Sequence, residues 1–211
     1  MLDTVYHIKS FCHIKNNTVS LNGSTIYQDK NNEFPEFIKA AYKAVETNYP
    51  KFFKMDNLSK LAFLAADILL KNERLDVEVD NNIAILFSNK ASSLDTDRKY
   101  QKSIQNKDSY YPSPAVFVYT LPNICIGEIS IKHKLYSENS FFIFANFNAE
   151  HLVAYTNSLL ATNKANEVLC GWVEFDEQHY EAFLYLVSKE GTIKHTTKEI
   201  TKLYQFNFTT L

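Results

Sequence analysis

Short apolar runs alternate with amphipathic stretches along the chain, and the period of each predicts an element. VYHIKSF (5–11) is largely alternating, which predicts a half-buried strand. Residues 18–20 and 24–27 flank the turn signal Asn22-Gly23 and predict a small hairpin. Positions 35–47 predict a first helix, with Phe37, Ile38, Ala41 and Val45 on one stripe. In a second helix Leu61, Leu64, Ala65, Ile68 and Leu69 keep the i, i+3, i+4, i+7, i+8 spacing, and Asp56 and Ser59 offer N-caps. IAILF (83–87) is a continuous apolar run, the mark of a strand covered on both faces. Residues 92–105 predict a polar, exposed helix.

Pro112 and Pro114 break any regular element, and 122–135 predict a helix interrupted at Gly127. Next come an apolar strand, a sharp elbow around Asn146, a helix and a second apolar strand, EVLCGWV (167–173). Residues 180–189 and 192–208 both have strand character. There is no internal repeat and no low-complexity segment. Helices alternating with apolar strands predict an α/β fold of three layers, a mixed β-sheet with helices on both faces, as a single domain over 1–211.

Composition narrows the function classes. The 211 residues can bury a sizeable core, and 45% hydrophobic content with 16 Phe and 13 Tyr marks a globular chain. A net charge of -2 gives no reason to expect nucleic acid or an acidic membrane surface as partner. The first ten residues lack the apolar core of a secretory signal, and no run approaches the roughly 20 apolar residues of a membrane span. Cys12, Cys125 and Cys170 are odd in number and lack metal spacing, so buried reduced thiols in a cytoplasm are expected. The six histidines form no HExxH pattern, so neither a metal site nor a cofactor is expected. Cys12 and His13 are adjacent on a strand and point to opposite faces. Asp76, Glu78 and Asp80 alternate with Val77 and Val79, which reads as a solvated loop or edge.

NSFFIFANFNAEH (139–151), with the segments around it, resembles the N-terminal half of β-ketoacyl synthases, condensing enzymes of the thiolase-like fold. KMDNLSKLA (54–62) is similar to that family's MDR-x-S-x-LA helix start. IAILFS (83–88) followed by SSLDT (92–96) resembles its next strand and loop. Pro114 to Leu135, with Asn123 and Gly127, matches its P…N…G helix; Asn139 aligns with the end of GPN, and Gly171 to Glu174 with GG-x-E. No single motif is specific; their order and spacing along the whole chain carry the resemblance.

In that family the elbow holds a cysteine whose pKa is lowered by the helix that follows. Here Ala145 matches the preceding residue and Asn146 takes the place of the thiol. An amide cannot take up an acyl group as a thioester, although Asn146 also suits a capping role at the helix start. The family's second half, with two histidines (or a His and an Asn) and a lysine, has no counterpart in these 211 residues. Trp172 stands where the family has a small residue and reads as core or as a tunnel plug.

The resemblance therefore implies a non-catalytic, chain-length-factor-like subunit. Its partner would be a full-length β-ketoacyl-acyl-carrier-protein synthase in fatty-acid, aryl-polyene or polyketide biosynthesis, with acyl carrier protein as a further partner. It implies that Ser140, Phe141, Phe142, Ile143 and Phe144 form the strand that pairs across a two-fold axis. It also implies that Val116 and Phe117 gate the partner's acyl tunnel. His151 matches a position that is often His in the family, where packing or a cap-like hydrogen bond is the simpler role. The alternative is a stand-alone homodimer that binds an acyl chain or acyl-CoA. A third reading, a hydrolase using Cys125 or His151, competes with plain core packing of those residues.

Overall fold

The computed structural model describes residues 5–206. β4 (Ile83–Asn89), the continuous apolar run of the sequence, is buried at every position. It lies parallel to β5 (Asn139–Ile143) on one side and to β6 (Glu167–Asp176) on the other. β7 (His179–Ser188) returns antiparallel to β6 through a tight turn, and β1 (His7–Lys15) pairs antiparallel with β7. β2 (Thr18–Leu21) and β3 (Ser24–Gln28) extend the sheet as the hairpin that Asn22-Gly23 predicts. The resulting order is β3-β2-β1-β7-β6-β4-β5, and β8 (Ile193–Lys194) pairs with β1 at His7 and Ile8, beyond the end of the β2 ladder.

The two-residue alternation along the strands divides the core in two. Ile83, Ile85 and Phe87 of β4, with Leu169 and Val173 of β6 and Leu184 of β7, face α1 (Phe34–Ala44), α2 (Asn57–Asn72) and α5 (Ile124–His133). Ala84, Leu86, Val168, Cys170, Phe183 and Tyr185 face α6 (Ala149–Ala161) and α7 (Thr197–Tyr204). Helices thus flank a mixed sheet on both sides, the three-layer architecture expected from the sequence. Gly171 sits where β6 runs closest to β7: a Cβ there would fall 2.1 Å from the Phe183 carbonyl oxygen. Helices α3 (Leu94–Ile104) and α4 (Pro114–Phe117) carry the chain toward α5 along the surface.

α2 is apolar nearly all round, as a helix packed between neighbours must be. Asp56 is its N-cap, accepting from the Ser59 N–H at 2.8 Å and from the Thr96 hydroxyl at 2.7 Å.

Over residues 5–10 burial alternates as the half-buried pattern predicts, with Val5 exposed and His7 and Lys9 partly so; from Ser10 to Ile14 β1 is buried on both faces, covered by both halves of the core. Two sequence expectations need correction. α5 runs through Gly127 without a break, since that position is exposed and nothing lies within 4 Å of where a Cβ would be. Of 192–208, only Ile193 and Lys194 are strand, and α7 follows; residues 207 and 208 lie outside the described part. The β-branched residues there mask a helical stripe of Ile200, Leu203 and Tyr204, started by Thr196, which accepts from the Glu199 N–H. No single helix among the described residues is long and apolar enough to cross a membrane.

One buried charge ties α2 to its surroundings. Asp67 accepts from the Thr47 hydroxyl at 2.7 Å and pairs with Lys71 at 2.8 Å; His133 Nε2 lies 3.3 Å away, too poorly aligned for a good hydrogen bond. Burial opposes its ionisation, but His133, Lys71 and Thr47 together hold the carboxyl down at about 2. Its stabilising contribution is therefore present above the unfolded value near 3.8 and is lost as pH falls toward 2. Asp67→Ala is expected to lower unfolding free energy by about 3 kcal/mol in urea titrations at pH 7, with the deficit shrinking as pH falls from about 4 toward 2.

Candidate functional site

Beyond the C-terminal ends of the parallel strands the sheet opens into a cleft of about 660 Å³. One wall is a single face of β6 and β7: Trp172, Glu174 and Asp176, with His179 and Glu181. The antiparallel register sets Glu174 directly opposite Glu181 and Asp176 opposite His179. Like charges so placed are unfavourable, and neighbours offset both. Glu174 is buried and accepts from the backbone N–H groups of Lys90 at 2.6 Å and Ala91 at 3.2 Å, which fixes the loop leaving β4. Glu181 accepts from the Tyr204 hydroxyl and faces Lys15 across the β1 ladder. Asp176 accepts from Arg98 of α3.

The other wall is α7, through Thr201, Tyr204 and Gln205. Burial and the Glu181 carboxylate push the Tyr204 phenol up, so it stays a neutral donor. Its ring stacks on Phe147 with centroids 4.2 Å apart, and Phe147 meets Trp172 edge-on at 6.3 Å. Trp172 is 4% exposed and forms part of the cleft lining, which places it in the floor between core and cavity.

Asn146 is exposed at the lip, where it lines this cleft and a shallower depression of about 450 Å³ over residues 144–150. α6 begins three residues later. Its N-cap is Asn148, whose side-chain oxygen accepts from the His151 N–H at 3.0 Å. The capping role left open for the elbow asparagine thus belongs to Asn148. The His151 ring packs among Phe142, Phe144 and Tyr155, with centroids at 4.4, 5.0 and 5.8 Å.

The three thiols are fully buried. Burial pushes all of them up, Cys170 to about 12, the opposite of what a nucleophile requires. Cys125 Sγ donates to the Pro122 carbonyl at 3.1 Å, and Cys170 Sγ lies 3.0 Å from the Thr156 hydroxyl. Cys12 faces the α1/α2 side of the sheet while His13 stacks on Phe183 on the other side. Among the described residues no group of three or more His, Cys, Asp or Glu is placed to hold a metal ion.

The remaining sequence candidates lie away from the cleft. Val116 and Phe117 are on α4; Phe117 is 57% exposed, with its ring 5.2 Å from Tyr100. Val118, Leu121 and Ile131 are exposed nearby in the sequence. β5 is the last strand of the sheet order. Ser140, Phe141 and Phe142 are half-buried there and Ile143 is exposed. Phe144 lies just past the strand, its N–H donating to the Asn89 carbonyl at 2.9 Å. Sequence reasoning missed Asp176, Glu181 and Tyr204 as cleft residues and met Glu174 only within a motif. The signal was present in the alternation Trp172-x-Glu174-x-Asp176 and His179-x-Glu181-x-Phe183 on either side of a short turn.

No family model and no curated protein matches the chain. Solved structures do. The ishigamide ketosynthase/chain length factor superposes with a TM-score of 0.64 at 16% identity, over 87% of this chain and 62% of that one. A ketosynthase in complex with its chain length factor from Xenorhabdus doucetiae gives 0.57 at 14% identity, over 89% and 80%. A type II polyketide synthase acyl-carrier protein in complex with its ketosynthase, bound to the hexaketide, gives 0.60 at 14% identity, over 89% and 63%. The chain thus has the thiolase-like fold that ketosynthases and chain length factors share, and it spans somewhat over three fifths of the length of the first of these.

Thiol-reactive probes are expected to leave Cys12, Cys125 and Cys170 unmodified in the folded protein and to label all three after denaturation. Rapid labelling of Cys125 in the native state would revive the hydrolase reading.

Proposed function

We propose that this chain is a ketosynthase-like subunit without condensing chemistry of its own, acting beside a full-length β-ketoacyl-acyl-carrier-protein synthase in fatty-acid, aryl-polyene or polyketide chain extension. The observation that carries the reading is the elbow. A strand, a turn and a capped helix stand in the order that would present a nucleophile, and the residue presented is Asn146. No thiol lies at the elbow, and the three in the chain are sealed in the core with raised pKa. Two of the similar structures are of a ketosynthase with a chain length factor, which favours a paired role.

The surface suits a partner. β5 ends the sheet, so its outer backbone groups have no strand beside them among the described residues. An edge of this kind, rich in phenylalanine, invites pairing unless it is covered. Phe117, Val118 and Leu121 add exposed apolar area, each about half exposed. In this reading Ser140, Phe141, Phe142, Ile143 and Phe144 form the pairing strand, and Val116 and Phe117 reach toward the partner's tunnel. Acyl carrier protein would meet the pair and not this chain alone.

A second reading, a stand-alone homodimer that holds an acyl chain or acyl-CoA, draws on the cleft. Its size, with Leu94, Phe147 and Trp172 as the apolar part of a lining that also carries Glu174, Asp176 and Glu181, gives room for the apolar end of such a ligand.

Native mass of the chain alone and after co-expression with a candidate full-length ketosynthase tests the two. A one-to-one heterodimer is expected; a homodimer that candidate ketosynthases leave unchanged and that carries lipid through purification supports the second reading instead. Asn146→Cys is expected to show no condensing activity by itself, and activity without a partner would refute the silent-subunit reading.

A further inference from the structure

Asn22 is tied to β1 through its side chain as well as its backbone. Its N–H donates to the Phe11 carbonyl at 2.8 Å, and its side-chain oxygen accepts from the Phe11 N–H at 2.9 Å. Phe11 and Asn22 thus continue the β1–β2 ladder one step past Cys12 and Leu21. An ordinary ladder pair returns its second bond to a main-chain carbonyl. Here the chain has already turned away, with φ of 51° at Asn22 and 85° at Gly23, and the side-chain amide stands in for that carbonyl. Leu21 pairs with Ser24, so the loop is Asn22 and Gly23 alone, both left-handed as a type I′ turn requires.

The same dipeptide is chemically labile. It is the one Asn-Gly step in the chain, and Asn22 is exposed at the hairpin tip. We propose that Asn22-Gly23 is a deamidation site whose rate is set by opening of the hairpin, and that its two products act oppositely on β3. The Gly23 nitrogen, with no side chain beside it to crowd the approach, gives up its proton to solvent and attacks Asn22 Cγ. The new C–N bond closes a cyclic imide, and the side-chain nitrogen takes up a proton and leaves as ammonia. Water then opens the imide at either carbonyl. Breaking the bond from nitrogen to Cγ leaves an ordinary aspartate at position 22. Breaking the bond from nitrogen to the backbone carbonyl routes the main chain through Cγ and leaves isoaspartate, one methylene longer. One water enters, one ammonia leaves, and nothing is oxidised or reduced.

The closed hairpin resists the first step. Attack requires Cγ to swing onto the Gly23 nitrogen, and the bond from Phe11 holds that group against β1 instead. β3 buries none of its five positions fully and ends the sheet order, so the hairpin opens locally at a cost well below that of global unfolding. Aspartate keeps the turn and offers the Phe11 N–H a charged acceptor, which strengthens the bond. Isoaspartate lengthens a loop built for two residues, so the pairs Leu21–Ser24 and Ser20–Thr25 lose register as far as the irregularity between Val19 and Ser20. Beyond that point β3 stays docked. The Gln28 side chain donates to the Thr18 hydroxyl at 2.9 Å, the Tyr27 ring lies 6.0 Å from that of Phe37, and the Asp29 N–H donates to the Asn17 carbonyl at 3.0 Å. The inference does not depend on the subunit reading, since β3 and β5 lie at opposite ends of the sheet.

Peptide mapping by mass spectrometry, on the full chain incubated at mildly alkaline pH, tests the site. The peptide holding 22–23 is expected to gain one mass unit before any other asparagine peptide does. The gain should be about tenfold or more slower in the native chain than in the chain denatured in urea. Labelling by an isoaspartyl methyltransferase separates the two products. In the isoaspartate form, hydrogen exchange should show protection lost over 20–25 and kept at Asp29. Asn22→Asp, the aspartate product made directly, should protect 20–25 at least as well as the parent chain. A native chain that shows no gain at 22–23 while the denatured chain converts fully would overturn the proposal. So would equal rates in the two states, or an isoaspartate form whose 20–25 amides stay protected.

Discussion

The close approach of β6 to β7 at Gly171 is the constraint from which the rest of the molecule is set. With a Cβ excluded by the Phe183 carbonyl, the two strands pair from Val168 and Val187 to Asp176 and His179 without a shift in register. Because side chains alternate, that register decides which residues enter which half of the core. Leu169 and Val173 go to the α1/α2 side, and Cys170, Trp172, Glu174 and Asp176 go to the other. A slip of one residue would bury Glu174 among the leucines of α2 and turn Trp172 away from the cleft. The β4 ladder on one edge of β6 and the β1 ladder on the far edge of β7 inherit the same alignment.

The two faces differ in chemistry as well as in position. The α1/α2/α5 side is built mainly from aliphatic and aromatic residues, Tyr42 and Tyr119 among them, and its buried carboxylates have ionic and hydroxyl partners. Glu128 receives Lys51 at 2.9 Å and the Tyr119 hydroxyl at 3.1 Å, and Asp67 has Lys71 and Thr47. Such a face resists opening, since separating any of these pairs would leave a charge buried without compensation. The α6/α7 side buries the rings of His13, His195 and Tyr185, packed by ring stacking and by the Asn157 side chain. The cleft lies on that second side, between the β6/β7 face and α7.

Much of this was legible in the sequence. The apolar run 83–87 and the stripe on α2 report burial through period alone, and both elements appear where their patterns place them. The fold class followed from the alternation of helices and strands. α7 was misread because threonine and isoleucine favour strands in isolation, and the cap at Thr196 with Glu199 three residues on outweighed that preference. The cleft was less legible because its residues are far apart in sequence and meet only through strand register and the Tyr204–Glu181 contact. No local pattern reports which face of β6 will look onto α7.

The elbow illustrates how geometry and residue type answer separate questions. A thiol at such a turn becomes reactive when the first free N–H groups of the helix point at it, since they stabilise the thiolate. Here α6 starts at Ala149, and the oxygen of Asn148 already occupies the His151 N–H. Asn146 lies two residues before that cap, on the rim of the cleft, with Phe147 between them engaged by the Tyr204 ring. The departure from a nucleophilic elbow is therefore not confined to one side chain. The cap has taken up one donor, and the Phe147 ring next to the position is stacked on Tyr204. A thiol placed at position 146 would find one of those N–H groups already taken. At this lip the amide of Asn146 is exposed, and the Phe147 ring beside it is held by the ring of Tyr204.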